Sequence, residues 1–487
     1  MGPGNAGYGT IRQVDPDSEE EGGVIYVDWE DENDPTNPMN WAQSKKNLNV
    51  AIVSLITFVA SLGTAMPELG IPELMHEFGS SSKVLASMVV SIYVLGYAIG
   101  PMLLAPLSEI YGRTALYHGS NLFFLVTVII CAVSTNLPML IVFRFLSGCA
   151  GAAPVAIGAG TIADTIPPQK RGSAIAIYSL GPILGPILGP IIGGYFAVHY
   201  GWRSAFWVLA VLGAALTIGS FIGLTETHAK TVLRQKARDL TRWKGGKEHK
   251  SSLDVNLPPP AALLATAMIR PIKIFFLSPV VFFSSIYVAI AYGYLFLMLT
   301  TFPSIFLDQY HIAPQNLVYT FMPQGVGFLI GMFVSFKYND KIAMGLKAKE
   351  GSLQPEHRLP LMVWTAPLTP IGLFAYGWTA QLQLHWALPL LSTVLTGSGL
   401  LLIMLPLQTY LVDAFTMYAA SAIAAATVLR CTFGAFVPLA GGPLYSALGY
   451  GWGTSVLGFI SLVSVPVPFL LMKYGGYLRE KYPVRSL

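Results

Sequence analysis

The chain has 487 residues, of which 53% are hydrophobic and only 11% are charged. An ordinary soluble domain carries about a quarter charged residues, so this composition excludes a soluble globular protein and indicates a protein that spans a membrane. The formal net charge of +4 is small for so long a chain, and it does not point to nucleic acid as a partner.

Residues 1–46 are polar and strongly acidic, and they include the acidic runs 19–21 and 28–34. Such a segment buries too little apolar surface to fold by itself, so we expect it to be disordered and cytoplasmic. It holds no apolar run of the kind that a cleavable signal peptide needs. Its last part, Asp-Pro-Thr-Asn-Pro-Met-Asn-Trp at 34–41, predicts a polar turn that leads into the membrane, with Trp41 at the lipid–water interface.

Apolar stretches of about 20 residues, the length that a helix needs to cross a bilayer, follow one another along the rest of the chain. We number the predicted helices spans 1 to 12. They lie at 48–67, 84–106, 115–134, 139–160, 174–199, 204–224, 274–302, 316–336, 361–380, 386–409, 417–440 and 454–472. The sequence therefore predicts an all-α membrane protein with two six-helix bundles, 47–224 and 274–473. A cytoplasmic linker at 225–273 separates them, and a tail at 474–487 follows.

Lysine and arginine are distributed unevenly between the predicted loops. Nearly all of the 29 lie on the side of the N-terminus, whereas the loops on the other side hold only Lys83 and Arg203. Because cytoplasmic loops of membrane proteins are enriched in these residues, both termini are predicted to be cytoplasmic. In the linker, a basic stretch over 227–242 has one apolar side. It predicts a helix that lies on the lipid of the inner leaflet.

Span 5 contains the run Gly-Pro-Ile-Leu-Gly-Pro-Ile-Leu-Gly-Pro-Ile-Ile-Gly-Gly at 181–194. Its glycines at 181, 185, 189 and 193 lie four residues apart on one helical face, which allows a neighbouring helix to approach closely. The prolines that follow three of them would disrupt a soluble helix, but they are tolerated as bends within a membrane. A closely packed, bent helix is typical of a moving part of a transporter.

Two arginines, Arg144 and Arg430, fall within predicted spans. An arginine at the centre of a span costs at least ~2.5 kcal/mol, so both are expected to face a wet cavity or a partner rather than lipid. The alternative is snorkelling or hydrogen bonding to backbone carbonyls, and for Arg430 the two interpretations weigh equally. No carboxylate lies clearly in the middle of a span. This predicts a cavity that is neutral to positive and that suits neutral or anionic solutes.

Motifs of catalysis and cofactor binding are absent from the sequence. It has no phosphate-binding loop of the Gly-x-x-x-x-Gly-Lys-Ser/Thr type, no Gly-x-Ser-x-Gly and no His-x-x-x-His pair within a span. The three cysteines, Cys131, Cys149 and Cys431, fall in spans without metal-like spacing. We therefore expect neither an enzyme nor a metal or cofactor site.

Three motifs remain, at 105–113 (Ala-Pro-Leu-Ser-Glu-Ile-Tyr-Gly-Arg), 140–148 (Leu-x-x-x-Arg-x-x-Ser-Gly) and 185–194 (Gly-x-x-x-Gly-Pro-x-x-Gly-Gly). Together they resemble the major facilitator superfamily, specifically its fungal twelve-span drug:proton antiporter branch. In the first motif Ala105 and Glu109 stand where that family usually has glycine and aspartate. The third is a full match to the antiporter signature of the fifth helix. The resemblance extends over residues 29–480 and implies the major facilitator fold.

In this family the loop after the second helix locks the cytoplasmic gate. The resemblance therefore implies gating or coupling roles for Glu109, Gly112, Arg113, Arg144, Asp164, Arg171 and Arg430. It implies close packing and antiport for the signature residues Gly185, Gly189, Pro190, Gly193 and Gly194. The residue that carries the proton stays open: it is Glu68 at the outer end of span 1, or Glu109, Asp164 or Asp413 at the inner gate, or the substrate itself.

The resemblance also implies which helices line the central cavity, and their polar or aromatic residues are candidates for substrate contact. These are Tyr93, Tyr97, Tyr178, Tyr287, Tyr292, Tyr294, Gln324 and Gln408. Relatives often have Glu where this chain has Thr300, which disfavours a polyamine or cationic drug as the substrate.

The function implied is proton-coupled export of a secondary metabolite, an organic acid or a xenobiotic by a monomer in the fungal plasma membrane. Two alternatives stay open. One is an importer or facilitator, because the antiporter signature does not prove direction. The other is a sensor that has kept the fold without transport.

Overall fold

A computed structural model of the chain describes residues 24–31, 33–167, 171–244, 248–254, 260–352, 354–415 and 418–482. Most of these residues are helical, and the long helices have apolar side chains on their outer surfaces. Ile222, for example, is 82% exposed and Val463 is 79% exposed. Side chains of this kind are unfavourable in water and suit contact with the acyl chains of a bilayer.

The first half of the chain forms six long helices, which keep the numbers of the predicted spans. Each is apolar enough to cross a membrane. The connection between spans 1 and 2 contains the short helix Ile71–Glu77. Span 4 bends at Ala152, where one helical segment ends and the next begins just before Pro154. The six helices are span 1 Gln43–Leu62, span 2 Lys83–Tyr111, span 3 Arg113–Ala132, span 4 Leu137–Thr165, span 5 Arg171–Tyr200 and span 6 Arg203–Gly223.

The second half of the chain repeats this arrangement. Span 7 is Pro279–Asp308, span 8 is Met322–Glu350, and span 10 is Ala387–Phe415. Span 9 is Leu368–Gln381, preceded by the short helix Pro360–Thr365.

Spans 11 and 12 lie within one apolar run, Ser421–Lys481. A straight helix of that length would be roughly 90 Å long, about three times the thickness of a bilayer core, so it cannot cross only once. Gly449 breaks the run with a backbone conformation (φ 71°, ψ 176°) that helices do not contain. Span 11 thus starts with Ala419–Phe436, and span 12 follows Gly449 and ends with Pro466–Lys481. The eleven apolar helical runs in the described part of the chain therefore make twelve crossings.

The twelve spans form two bundles, spans 1–6 and spans 7–12. The bundles meet where span 2 packs against span 11 and where span 5 packs against span 8. We call this junction the seam. We call the side on which span 1 begins and span 12 ends the terminal face, and the other side the opposite face. On the opposite face, the short helix Pro314–Phe321 between spans 7 and 8 closes against span 5.

The acidic N-terminal segment differs from its prediction in part. Residues 1–23 and 32 lie outside the described residues, but the rest of the segment is ordered rather than disordered. Strand β1, Val24–Val27, pairs in parallel with β2, Glu248–Ser251, from the linker. Asp34 then accepts hydrogen bonds from Thr36 and forms a 3.1 Å ion pair with Lys236. The segment is stable because the linker supplies the partners that it lacks on its own.

The linker helix, Ala229–Lys244, also differs from its prediction. We expected its apolar side to lie on lipid, but Leu233 is fully buried and Ala237 is 2% exposed. The helix packs against β1 and β2. A second helix, Pro260–Leu277, leads into span 7 and contacts both span 2 and span 11. Leu233 and Ala237 are thus covered by protein, whereas Trp243 near the end of the helix is exposed.

Candidate transport pathway and gates

Arg144 is buried inside the first bundle, with 1% of its surface exposed. Its guanidinium donates hydrogen bonds to three backbone carbonyls: Nη1 to Gly63 at 2.8 Å, Nε to Val89 at 3.0 Å and Nη2 to Thr64 at 3.4 Å. The ring of Tyr93 lies 4.5 Å from its Cζ atom. The sequence left two environments open for Arg144, a wet cavity or partner and backbone carbonyls, and the structure has the carbonyls. Through them Arg144 connects span 4 to spans 1 and 2.

Glu68 lies on a short turn just after span 1 and is 1% exposed. Neither of its carboxyl oxygens has a hydrogen-bond partner among the described residues. The charge of Arg144 acts on it, but these two described residues form no ion pair. A buried carboxyl group without donors favours its protonated form, because burial penalises the charged form.

The loop between spans 2 and 3 is held by charge on the terminal face. The Nε atom of Arg113 donates to Asp164 Oδ2 at 3.2 Å, at the end of span 4. Gly112 lies at φ 96°, a left-handed conformation that favours glycine. That break removes the helical geometry that would bring Glu109 to Arg113, and Glu109 is exposed instead. The backbone of Arg171 begins span 5, but its side chain lies outside the described residues.

Glu226, at the start of the linker, completes this cluster and was missed in the sequence analysis. Its Oε1 accepts the backbone N–H of Arg113 at 2.9 Å, and its Oε2 accepts that of Thr114 at 3.1 Å. The carboxylate thereby caps the first turn of span 3, where a negative charge is favourable. No local pattern could reveal this contact, because the partners lie 113 residues apart in the chain.

The second bundle carries a corresponding cluster on the same face. Arg358, before span 9, donates to Asp413 at 2.9 Å and also pairs with Asp340. Beside it, Glu356 is buried and accepts from Arg479 at 2.8 Å. Each bundle therefore has an arginine that ties the loop after its second helix to the end of its fourth helix.

The glycine stripe of span 5 lies against span 1. A Cβ atom on Gly189 would lie 2.8 Å from the carbonyl oxygen of Leu62, closer than side chains pack. Gly185 and Gly193 are closer still to Ser61 and Met66, and Gly181 lies against Phe58. The close approach predicted from the spacing is present, and any larger residue would push the two helices apart.

The other side of span 5 forms part of the seam. A Cβ atom on Gly325 of span 8 would lie 3.6 Å from the Cβ atom of Ile187. Gln324 lies in the same narrow crevice, which leaves no room for a water molecule. Gly194 packs against Val318 on the opposite face. Span 5 therefore contacts both its own bundle and the facing one.

The substrate candidates differ in how deeply they are buried and in what they contact. Tyr93 donates to the carbonyl of Ala60 at 2.6 Å and Tyr178 to that of Pro154 at 2.9 Å, so both serve packing within the first bundle. Tyr287, Tyr294 and Gln324 are buried in the second bundle. Tyr97, Tyr292 and Gln408 are only partly buried.

Tyr97 and Tyr292 lie near the middle of spans 2 and 7 and act on each other electrostatically, and Arg430 of span 11 lies beside Tyr292. The Cζ atom of Arg430 lies 5.2 Å from the Tyr292 ring. The Nε atom of Arg430 and the hydroxyl group of Tyr97 are buried and have no hydrogen-bond partner among the residues that the structure describes. These three side chains from both bundles form what we call the seam cluster.

Two bundles of six spans that meet at a seam, with charge clusters on one face, define a membrane transporter rather than an enzyme. The model of the Major Facilitator Superfamily matches residues 53–438 of the chain. The chain therefore belongs to the major facilitator superfamily.

Relatives of known name support this assignment. The chain is 48% identical to the MFS-type transporter tndD of Aspergillus flavipes, over 94% of this chain and 86% of the relative. It is 44% identical to the efflux pump radE of Floropilus chiversii, over 96% and 87%. Its fold is also that of the xylose transporter XylE from E. coli in a partially occluded, inward-open conformation. In that comparison the TM-score is 0.63 at 16% identity, and 89% of this chain and 98% of the other are covered.

Proposed function

We propose that this protein exports a small organic molecule across the plasma membrane by alternating access. The observation that carries this proposal is span 5, whose glycine face packs against span 1 while its other side packs against span 8. A helix shared between two rigid bundles is the place where one bundle turns against the other. The name of the relative radE, an efflux pump, favours export.

The charge clusters on the terminal face are the proposed inner gate. The arginines Arg113 and Arg358 hold their loops to Asp164 and Asp413 in the present conformation. Ion pairs at a gate form and break as the bundles turn, so they suit a two-state device. Glu109, Gly112 and Arg171 belong to the same proposed gate by their positions in the loops. The concentration of basic residues supports a cytoplasmic location for this face, and we take the unit of function to be a monomer.

Glu68 is the proposed proton carrier. Asp164 and Asp413 are already ion-paired, and Glu109 is exposed. Glu68 is buried without a donor and lies within the electrostatic influence of Arg144. If Glu68 released its proton, the resulting charge would be drawn towards Arg144. That movement would link protonation to the contacts between spans 1, 2 and 4.

The test is a comparison of metabolites in the medium of cells with and without the gene, each repeated with a proton uncoupler. We expect at least one small organic compound to be depleted from the medium and to accumulate inside cells without the gene. The uncoupler should produce the same change in cells that have it. Identical media would refute export, and a compound left outside only in cells without the gene would show import. Export that continues unchanged in the presence of the uncoupler would contradict proton coupling.

A further inference from the structure

Arg430 is a charged residue in the middle of span 11 that has no oppositely charged partner among the described residues. Its aromatic neighbour is Tyr292, and its polar neighbour is the thiol of Cys431. It forms no ion pair with any carboxylate among the described residues, and its Nε atom has no hydrogen-bond partner there. Arg144 shows the contrast, since three backbone carbonyls take up its donors.

A cation at this depth is unfavourable unless something compensates for it. The face of an aromatic ring compensates only in part. The remaining donors of a guanidinium match the two oxygens of a carboxylate, to which arginine binds through two parallel hydrogen bonds. A ligand with such a group would supply the missing partner.

The residues of the seam cluster are only partly buried, although the Nε atom of Arg430 and the hydroxyl group of Tyr97 are themselves covered. Tyr97, Tyr292 and Arg430 are each partly exposed, and they come from spans 2, 7 and 11, on both sides of the seam. Substrates of transporters of this architecture bind near the midplane between the two repeats. The two tyrosines offer ring faces for an apolar or aromatic body, and the hydroxyl group of Tyr97 offers an unused donor.

We propose that Arg430, Tyr292 and Tyr97 form a recognition subsite for the carboxylate of an aromatic or otherwise apolar organic acid. The inference depends on the proposed function as an exporter and specifies the class of its substrate. Arg430 is then a specificity-determining residue, rather than part of the gate.

The experiment uses the purified full-length protein in proteoliposomes and two fluorescent probes of equal size, 2-naphthoate and its neutral amide, 2-naphthamide. Counterflow uptake and thermal stabilisation by each probe are measured for the wild type, R430M, R430K and R203M. Arg203 lies at the end of span 6 on the opposite face and pairs with Glu77, so its substitution removes a charge outside the seam.

We expect the wild type and R203M to prefer naphthoate at least tenfold over naphthamide. R430M should lose that preference, and R430K should keep part of it, because lysine retains the charge without the two-pronged geometry. A wild type without the preference, or an R430M variant that keeps it, would overturn the subsite. R430K keeps the test decisive if R430M does not fold. A folded R430K with the same preference for naphthoate as the wild type would also contradict the proposal.

A second readout separates this inference from the proposed function. In cells that carry R430M, acidic metabolites should disappear from the medium while exported neutral ones persist. Loss of both classes, with the protein folded, would contradict a role in specificity. Media from cells without the gene test export itself and do not depend on Arg430.

Discussion

At the scale of single residues, the two arginines within spans show that the same residue type can have different roles in different surroundings. Both carry the same charge into a span, but Arg144 is enclosed by carbonyl oxygens whereas Arg430 lies at the seam beside a tyrosine ring. The first arrangement uses the charge to hold three helices together. The second leaves donors available to a ligand. Residue type alone predicts neither outcome, since the position of backbone carbonyls depends on the neighbouring helices.

Replacing Arg144 with alanine should therefore destabilise the first bundle as well as impair transport. The substitution removes three hydrogen bonds from a buried charged group to backbone carbonyls, which we expect to cost at least ~3 kcal/mol. The melting temperature in detergent should fall clearly, and Arg144→Lys should fall less because one donor group remains. Arg203→Ala, a partly exposed arginine, is the matched control. A variant with the melting temperature of the wild type but without transport would contradict a role of Arg144 in stability and leave it a role in transport alone.

Among the elements, the linker helix is held by polar contacts that span distant parts of the chain. Lys236 pairs with Glu30 at 2.9 Å and with Asp34 at 3.1 Å. Burial opposes the charge of Asp34, but hydrogen bonds from Thr36 and Glu30 and the ammonium group of Lys236 hold its pKa well below the usual range. Arg234 donates to the carbonyl of Ile110, near the end of span 2, at 3.1 Å. The linker helix therefore contacts the part of the chain that we propose as the inner gate.

Acidification should loosen this helix. Burial, and then the charges of Arg113, Lys230 and Arg234, lower the pKa of His228 from 6.5 to about 4. A detached His228 would bind a proton below pH 6.5, whereas the docked residue resists it. Docking is therefore favoured above pH 6.5 and weakens as pH falls towards 4.

Hydrogen exchange of residues 229–244 should accordingly be faster at pH 5 than at pH 7, after correction for the intrinsic rate. His228→Gln stays neutral at both values, so its docking should change less. Equal changes in the variant and the wild type would assign the effect to another group.

At the level of the whole molecule, any turn of one bundle against the other must change the contacts at the seam. Span 5 is close-packed on both sides, so a turn of one bundle must slide Ile187 past Gly325. The two charge clusters on the terminal face lie one in each bundle, and neither ion pair crosses the seam. Two bundles that slide against each other at the seam are what alternating access requires.

A disulfide across that junction should stop transport. A Cβ atom added at Gly325 would lie 3.6 Å from the Cβ atom of Ile187, within the range that a disulfide needs. Ile187→Cys combined with Gly325→Cys should therefore cross-link under mild oxidation, lose counterflow and regain it with a reductant. Each single variant, treated with the same oxidant, is the control for the natural cysteines. A cross-linked protein that transports at the unlinked rate would show that spans 5 and 8 do not move apart.

The sequence alone determined the number of spans, the two-bundle organisation and the face of span 5 that packs closely. These features depend on composition and on spacing within one helix, which are local. Only the tertiary structure decided that Glu226 caps span 3, that the linker helix packs on protein rather than lipid and that part of the acidic segment is ordered. It also decided which tyrosines reach the seam. Each of these depends on partners far apart in the chain, and what a polar or apolar side chain does is set by the partner that the fold brings to it.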